Sequence, residues 1–117
     1  NDEAPPRRRI FIATGSGIAP FCAAFDEGIR ADDLLLFGCT TADEDLTRWL
    51  KTPIPHVIRC MTRESSDAAF KGRVTDYLRM TGIDQSADYY VCGSPAMVAD
   101  VRRVIRSGGG RVYCESF

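Results

Sequence analysis

The sequence has no long apolar run and no pair of closely spaced cysteines. None of its apolar segments approaches the roughly 20 residues of a membrane-spanning helix, and no basic segment leads into a signal-type apolar stretch. The five cysteines form no Cys-x-x-Cys pair, which disfavours a disulfide framework and a zinc site. We therefore expect a cytoplasmic protein with cysteine thiols, no metal site and no membrane partner.

Positive charge is not in excess either. Fifteen Lys and Arg residues are balanced by sixteen Asp and Glu residues, and the formal net charge is -1. No global basic field would concentrate nucleic acid or an anionic membrane on this surface, so any anion site must be local. A length of 117 residues and a hydrophobic fraction of 44% are typical of one compact soluble domain.

Short apolar runs alternate with segments of helical spacing along most of the chain. Residues 1–9 contain two prolines and end in three arginines, which indicates a linker whose basic run is solvated or steers an acidic redox partner. Strands are predicted at 9–13, 33–39, 56–61, 89–92 and 111–114, and helices at 18–27, 43–51, 74–80 and 97–107. The domain at 10–117 is therefore predicted to be α/β, doubly wound (Rossmann-like), with a five-stranded parallel sheet and helices on both faces.

A glycine turn stands directly between the first predicted strand and the first predicted helix. Gly15 and Gly17 permit a tight turn and close approach of a ligand to the backbone, while the helix behind them offers unpaired amides to a phosphate. Pro20 suits a first helical turn, where it needs no amide hydrogen. The alternative is that the glycine turn is purely structural. Because the turn lies at the carboxyl end of a strand, a ligand site is favoured.

The string IATGSGIAPF, residues 12–21, closely resembles the IATGTGIAPF pattern of the ferredoxin-NADP reductase superfamily. Ser16 stands where threonine is usual and keeps the hydroxyl. The resemblance implies that this turn holds the pyrophosphate of a pyridine nucleotide and lies near the nicotinamide. The residues that it assigns to the turn are Thr14, Gly15, Ser16, Gly17, Ile18, Ala19 and Pro20.

Other motifs follow in the order of that family. Thr62-Arg63-Glu64 resembles the Ser-Arg-Glu that grips the 2'-phosphate of NADP, and Gly72-Arg73-Val74 resembles a motif that offers a second guanidinium. The segment 90–97 resembles the one that lies against the nicotinamide, which implies roles for Cys92, Gly93, Ser94 and Met97. The terminal Glu115-Ser116-Phe117 resembles the end of plant-type reductases, where an aromatic residue covers the flavin.

The choice between NADP and NAD depends on the end of the second strand. Many relatives have an arginine there, whereas this chain has Gly38-Cys39-Thr40 and no arginine until Arg48. The tip also lacks the acid that an NAD site would place on the ribose hydroxyls. Asp43 and Glu44 follow later and are interpreted as helix-start acids. We expect NADP(H), with NAD(H) as the alternative.

The resemblance implies an oxidoreductase that transfers a hydride between NADPH and FAD and exchanges electrons with ferredoxin, flavodoxin or a similar acceptor. Its FAD-binding barrel domain would be a separate partner, so that this chain is an excised domain or a stand-alone protein and is inactive alone. Cys92, Glu115 and Phe117 would form the catalytic site. The alternative function is a non-catalytic nucleotide-binding module with the same fold.

Several residues have simpler interpretations. Arg63 and Arg73 could be solvated surface charges, and Cys92 could be a core residue. We expect His56 at the surface or rim and Trp49 packed. Packing roles are also predicted for four cysteines: Cys22, Cys39, Cys60 and Cys114.

Overall fold

A computed structural model of the protein describes residues 6–63 and 69–116. Six strands occur in that part of the chain: β1 (Arg8–Thr14), β2 (Leu34–Cys39), β3 (His56–Met61), β4 (Phe70–Lys71), β5 (Ala87–Gly93) and β6 (Arg111–Ser116). The α-helices there are α1 (Ala19–Glu27), α2 (Val74–Thr81) and α3 (Pro95–Ser107). Short 3-10 helices span Gly15–Ile18, Ala42–Glu44 and Leu46–Trp49.

All described strands pair in parallel in one sheet of order β4-β3-β2-β1-β5-β6. Ile12 of β1 stands opposite Leu36 of β2 on one side and Val91 of β5 on the other. Successive strands from β1 to β4 extend the sheet in one direction, and β5 and β6 extend it in the other. The boundary between β1 and β5 is therefore a switch point, where ligands of such sheets bind beyond the carboxyl ends of the strands.

Alternate side chains of the strands enter two separate cores. The core on the α1 side contains Phe11, Ala13, Ile18, Phe25, Leu35, Phe37 and Ile54. The core on the α2 and α3 side contains Ile10, Ile12, Leu36, Cys60, Val74, Leu78, Ala87, Tyr89, Val91, Val98, Val101 and Ile105. Helices thus cover both faces of a parallel sheet, and the predicted fold class is confirmed.

The sheet has one strand more than the predicted five. The additional strand, β4, has only two residues, Phe70 and Lys71, which pair with Cys60 and Met61. Two residues are too few to show any periodicity, so this strand gives no signal in the sequence.

The three arginines that end the predicted linker contact the folded domain. The first strand already begins at Arg8, so the sheet includes the last two residues of the predicted linker. The Nε of Arg7 donates to Asp88 at 2.8 Å, and Arg8 donates to the carbonyl of Asp32 at 2.9 Å. Arg9 forms a 2.5 Å ion pair with the buried Asp33.

The predicted helix at 43–51 is replaced by the two short 3-10 helices. The backbone of Asp45 is extended between them, and its carboxylate accepts from the backbone N–H of Thr47 at 3.0 Å and from Arg59 of β3 at 2.6 Å. This contact with the sheet interrupts the helical run. Trp49 is 70% exposed, so the prediction that Trp49 packs was wrong.

Candidate functional site

A cleft of about 420 Å³ opens beyond the carboxyl ends of β1, β2 and β3, between the first turns of α2 and α3. Its lining consists of Thr14, Gly15, Gly38, Cys39, Thr40, Glu44, Cys60, Thr62, Arg73, Val74, Thr75, Ala96, Met97, Asp100 and Val101. Among the residues predicted to form the site, those in the lining are Thr14, Gly15, Thr62, Arg73 and Met97. The other predicted residues that the structure describes are not part of this lining.

The glycine turn is closed tightly against the end of β5. A Cβ atom on Gly17 would stand 2.4 Å from the carbonyl oxygen of Cys92 and 2.9 Å from the Cα of Gly93, so only glycine fits at this contact. Gly15 has a φ of +51°, and a Cβ there would have no atom within 4 Å. The turn therefore packs on β5 through Gly17 and leaves open space in front of Gly15.

The helix behind this turn begins with Ala19 and Pro20, both exposed. Ser16 is also exposed, whereas Ile18 packs into the core of the α1 side. The 3-10 helix Gly15–Ile18 runs directly into α1, where the N–H of Ala19 donates to the carbonyl of Ser16 and Pro20 has no N–H. The first amides of a helix have no partner within it and carry the positive end of its dipole. The donors open to an anionic ligand are therefore at the start of the 3-10 helix rather than at the start of α1.

The end of β5 and the start of α3 meet the end of β1. A Cβ atom on Gly93 would lie 2.8 Å from the Sδ of Met97 and 3.0 Å from the Oγ1 of Thr14. Ser94 caps α3, because its hydroxyl accepts a hydrogen bond from the backbone N–H of Met97 at 3.3 Å. The structure thus brings together the predicted residues Thr14, Gly93, Ser94 and Met97.

The ends of β2 and β3 carry the polar wall of the cleft. The N–H of Arg63 donates to the carbonyl of Thr40 at 3.0 Å, which extends the pairing of the two strands past their ends. Both the backbone N–H of Thr40, at 3.3 Å, and its hydroxyl donate to the carboxylate of Glu44. The hydrogen bond from the Thr40 hydroxyl lowers the pKa of Glu44, and the positive charge of Arg63 acts in the same direction.

Glu44 lines the cleft, although the sequence does not predict it there. The sequence indicates a helix-start acid, whereas the 3-10 helix Ala42–Glu44 returns the Glu44 carboxylate to the tip of β2. The signal available in the sequence was the spacing between Thr40 and Glu44. The Thr40–Glu44 spacing predicts a hydrogen bond between these two residues only if no regular α-helix begins at Asp43.

Two of the three residues predicted to bind the 2'-phosphate line the cleft, and the third does not. Thr62 and Arg73 line the cleft from β3 and from the start of α2. Arg63 is exposed beside the tip of β2 and lies outside the lining. Glu64, the third residue of that motif, lies outside the described residues.

Cys92 is buried in the end of β5, and strand alternation places it on the α1 side, opposite the cleft. Cys60 instead forms part of the cleft floor, and its burial raises the pKa of its thiol to about 12. Cys60 is therefore a neutral thiol at physiological pH. No disulfide joins the five cysteines, all of which the structure describes, and Cys114 is exposed rather than packed as predicted.

Of the two catalytic residues predicted at the end of the chain, Glu115 contributes backbone to β6, where it stands opposite Cys92. Its side chain and the whole of Phe117 lie outside what the structure describes. The predicted roles of both residues stay predictions.

Comparison with known proteins agrees with this arrangement. The family described as the oxidoreductase NAD-binding domain matches residues 11–103. The chain belongs to this family. The electron transfer component of toluate 1,2-dioxygenase from Pseudomonas putida is 32% identical to it, over 95% of the chain and 37% of that protein.

Solved structures show the same fold. A ferredoxin NADP+ reductase from Neisseria gonorrhoeae with bound FAD and NADP superposes with a TM-score of 0.74 and 19% identity, over 94% of this chain and 56% of that one. The Amycolatopsis cytochrome P450 reductase GcoB gives a TM-score of 0.72 and 26% identity, over 99% and 39%. The predicted resemblance to ferredoxin-NADP reductases is thus confirmed for the fold. This NAD-binding domain spans between 37% and 56% of the length of these three relatives.

Across residues 6–63 and 69–116, no helix has both the length and the apolar character needed to cross a membrane. In the same ranges, His, Cys, Asp and Glu side chains form no group of three that could hold a metal ion.

Proposed function

We propose that this NAD-binding domain holds a pyridine dinucleotide across the cleft and presents its nicotinamide to an FAD bound by a second domain. The observation that carries the proposal is the glycine turn, which is closed on β5 at the switch point and open toward the cleft. A cleft of about 420 Å³ is within the usual range of small-ligand sites.

The pyrophosphate would be held by the turn from Thr14 to Pro20. The open space at Gly15 lets a phosphate approach the backbone, and the amides at the start of the 3-10 helix Gly15–Ile18 would supply donors without a positively charged side chain. An anion site of this kind is compatible with a chain whose net charge is -1, because its positive potential is local.

The adenosine half would lie along the ends of β2 and β3, where Thr62 and Arg73 line the cleft and Arg63 is adjacent. The nicotinamide half would lie by Gly93, Ser94 and Met97, near the start of α3. Cys92 shapes this end through its backbone carbonyl, which contacts Gly17, since its thiol side faces away from the cleft.

The parent enzyme would be a flavin-dependent reductase. Bound FAD supplies the hydride acceptor and the change from two-electron to one-electron transfer. Glu115 and Phe117 would complete the hydride-transfer site beside that flavin. Relatives that include an electron transfer component and a reductase with bound FAD support an FAD-binding barrel as the partner domain and ferredoxin, flavodoxin or a similar protein as the electron acceptor.

Titration of the 117-residue chain with NADH, NADPH and ADP-ribose in a calorimeter tests this proposal. Gly15→Ala and Gly82→Ala form a matched pair, because both glycines have positive φ and open space around a Cβ, but only Gly15 lines the cleft. Both changes strain the backbone, and Gly82, with φ 79° and ψ 172°, lies in a region that is essentially reserved for glycine. We expect Gly15→Ala to weaken dinucleotide binding roughly tenfold or more and Gly82→Ala to leave it unchanged.

Failure of NADH, NADPH and ADP-ribose to bind the wild-type chain would contradict the proposal. Equal effects of the two glycine substitutions on affinity would also contradict it, since binding would then depend on stability rather than on the turn.

A further inference from the structure

The carboxylate of Glu44 stands at the tip of β2 and forms part of the cleft wall. In open parallel sheets of this kind, the ribose attached to a phosphate at the first turn lies near the end of the second strand. Glu44 reaches this position from the short helix Ala42–Glu44 and is held there by two donors of Thr40. An acid is therefore present at the tip of β2, although it does not belong to the strand.

The contacts of Glu44 remove the donors that a 2'-phosphate would use. The hydroxyl and the backbone N–H of Thr40 both donate to the Glu44 carboxylate. Arg63, at the end of β3, already interacts favourably with the Glu44 charge. A phosphate placed here would have to compete with Glu44 for Thr40 and for Arg63.

The charges in the lining also disfavour a second phosphate. Its ionisable carboxylates are those of Glu44 and Asp100, and its guanidinium is that of Arg73. Asp100 has its own partner in Arg103, at 3.5 Å. A phosphate monoester carries about -1.5 to -2 charges at neutral pH and would be repelled, whereas a ribose hydroxyl can donate a hydrogen bond to a carboxylate.

We infer that Glu44 makes this site select NAD(H) over NADP(H), by accepting a hydrogen bond from the adenosine ribose hydroxyl and repelling a 2'-phosphate. This inference rests on the proposed function and reverses the NADP(H) preference expected from Thr62, Arg63 and Arg73. In the resulting arrangement Arg63 balances the charge of Glu44, and Thr62 and Arg73 frame the adenosine.

The test compares the affinities of NADH and NADPH for the 117-residue chain and for two matched variants. Glu44→Gln removes the charge and keeps an oxygen that can accept from Thr40. Asp43→Asn removes the same charge one residue earlier, from an exposed side chain outside the cleft lining. Melting temperatures of the variants are recorded, and both are expected to stay near wild type because both positions are exposed.

We expect the wild-type chain to bind NADH at least roughly tenfold more tightly than NADPH, because a hydrogen bond to a charged group has about that effect on affinity. Glu44→Gln should lower this ratio roughly tenfold, with weaker NADH binding and stronger NADPH binding. Asp43→Asn should leave the ratio unchanged.

A wild-type chain that binds NADPH as tightly as NADH, or more tightly, would overturn the assignment of Glu44. So would a Glu44→Gln variant whose ratio matches that of Asp43→Asn. In both cases the proposed function stands, since dinucleotides bind. If neither nucleotide binds, the proposed function itself fails.

Discussion

At the scale of single residues, the contact between the glycine turn and β5 is the tightest constraint on the site. Gly17 faces backbone atoms of Cys92 and Gly93, which cannot move aside as a flexible side chain would. The turn and the switch-point strand therefore keep their relative positions through one residue without a side chain. Loss of this contact would displace the amides proposed to hold the pyrophosphate.

We predict that Gly17→Ala lowers the free energy of unfolding by about 1–3 kcal/mol, the usual effect of overpacking. Gly28→Ala is the matched control, because Gly28 has a φ of 166° and a Cβ there would have no atom within 4 Å. It should be neutral or slightly stabilising. Urea denaturation of both variants checks this prediction. Equal stability of the two would show that the turn is not closed on β5.

Asp45 gives a prediction about pH. Burial by itself raises the pKa of Asp45, but hydrogen bonds from Thr47 and Arg59 outweigh it, and the pKa is lowered. A carboxyl whose folded-state pKa is lowered stabilises the fold above its unfolded pKa of about 3.9, and this stabilisation is lost as the pH falls through the folded value.

We therefore expect Asp45→Asn to cost about 1–3 kcal/mol at neutral pH, as loss of a charged hydrogen-bond acceptor does. The difference from wild type should stay constant down to about pH 5 and narrow below about pH 4. Urea denaturation across this range measures it, with the exposed Asp43→Asn as control. A difference that does not change with pH would refute the charged interaction with Arg59.

At the scale of secondary-structure elements, β1 is held at its start by charges rather than by apolar contacts alone. Asp33 is fully buried and accepts from Arg9 at 2.5 Å and from the backbone N–H of Arg30 at 2.9 Å. The central strand is thereby tied to the loop that precedes β2. Because β1 ends in the glycine turn, this pair also fixes the strand that carries the candidate site.

We predict that Arg9→Met destabilises the chain by about 3–5 kcal/mol, since it leaves the Asp33 carboxylate buried without its guanidinium. Adding Asp33→Asn should recover part of this loss, because the buried group is then neutral. Urea denaturation of the single and double variants gives the coupling energy. If the stability losses of Arg9→Met and Asp33→Asn simply add in the double variant, a direct interaction between Arg9 and Asp33 is contradicted.

The sequence predicts those elements whose residues repeat with a clear period. Val98, Val101 and Ile105 share one face of α3, and the apolar run of β2 is buried on both of its faces, as expected for a central parallel strand. The failures have tertiary causes. Asp45 is drawn to Arg59 across 14 positions of the chain, which ends a helix that local propensity favours.

In the candidate site too, some residues are predictable from the sequence and others depend on tertiary contacts. The glycine turn is recognisable in the sequence because its residues are adjacent in the chain and follow a strand. Glu44 cannot be recognised in the sequence, since its position depends on how residues 42–49 fold against β3. The lining residues Cys60 and Asp100 face the cleft only because the sheet brings β3 beside β2 and α3 beside α2.

At the scale of the whole molecule, the order of the strands decides where a ligand can bind. Successive strands are added to the parallel sheet on one side of β1 up to β4 and on the other side from β5 onward. The glycine turn, the start of α3 and the tip of β2 all meet at the carboxyl ends of these strands. The opposite edge carries a second groove, which contains Arg8, His56 and Asp84. An experiment that maps the ligand-binding residues can therefore distinguish binding at the carboxyl edge from binding at the opposite edge.

The most direct test is to titrate the isotope-labelled chain with NADH and to follow its backbone amides by NMR. We predict the largest shifts at Gly15, Ser16, Thr40 and Met97, which surround the switch-point cleft, and unchanged amides at Arg8, His56 and Asp84. Shifts confined to the opposite edge, or no shifts at all under saturating NADH, would contradict nucleotide binding at the switch point.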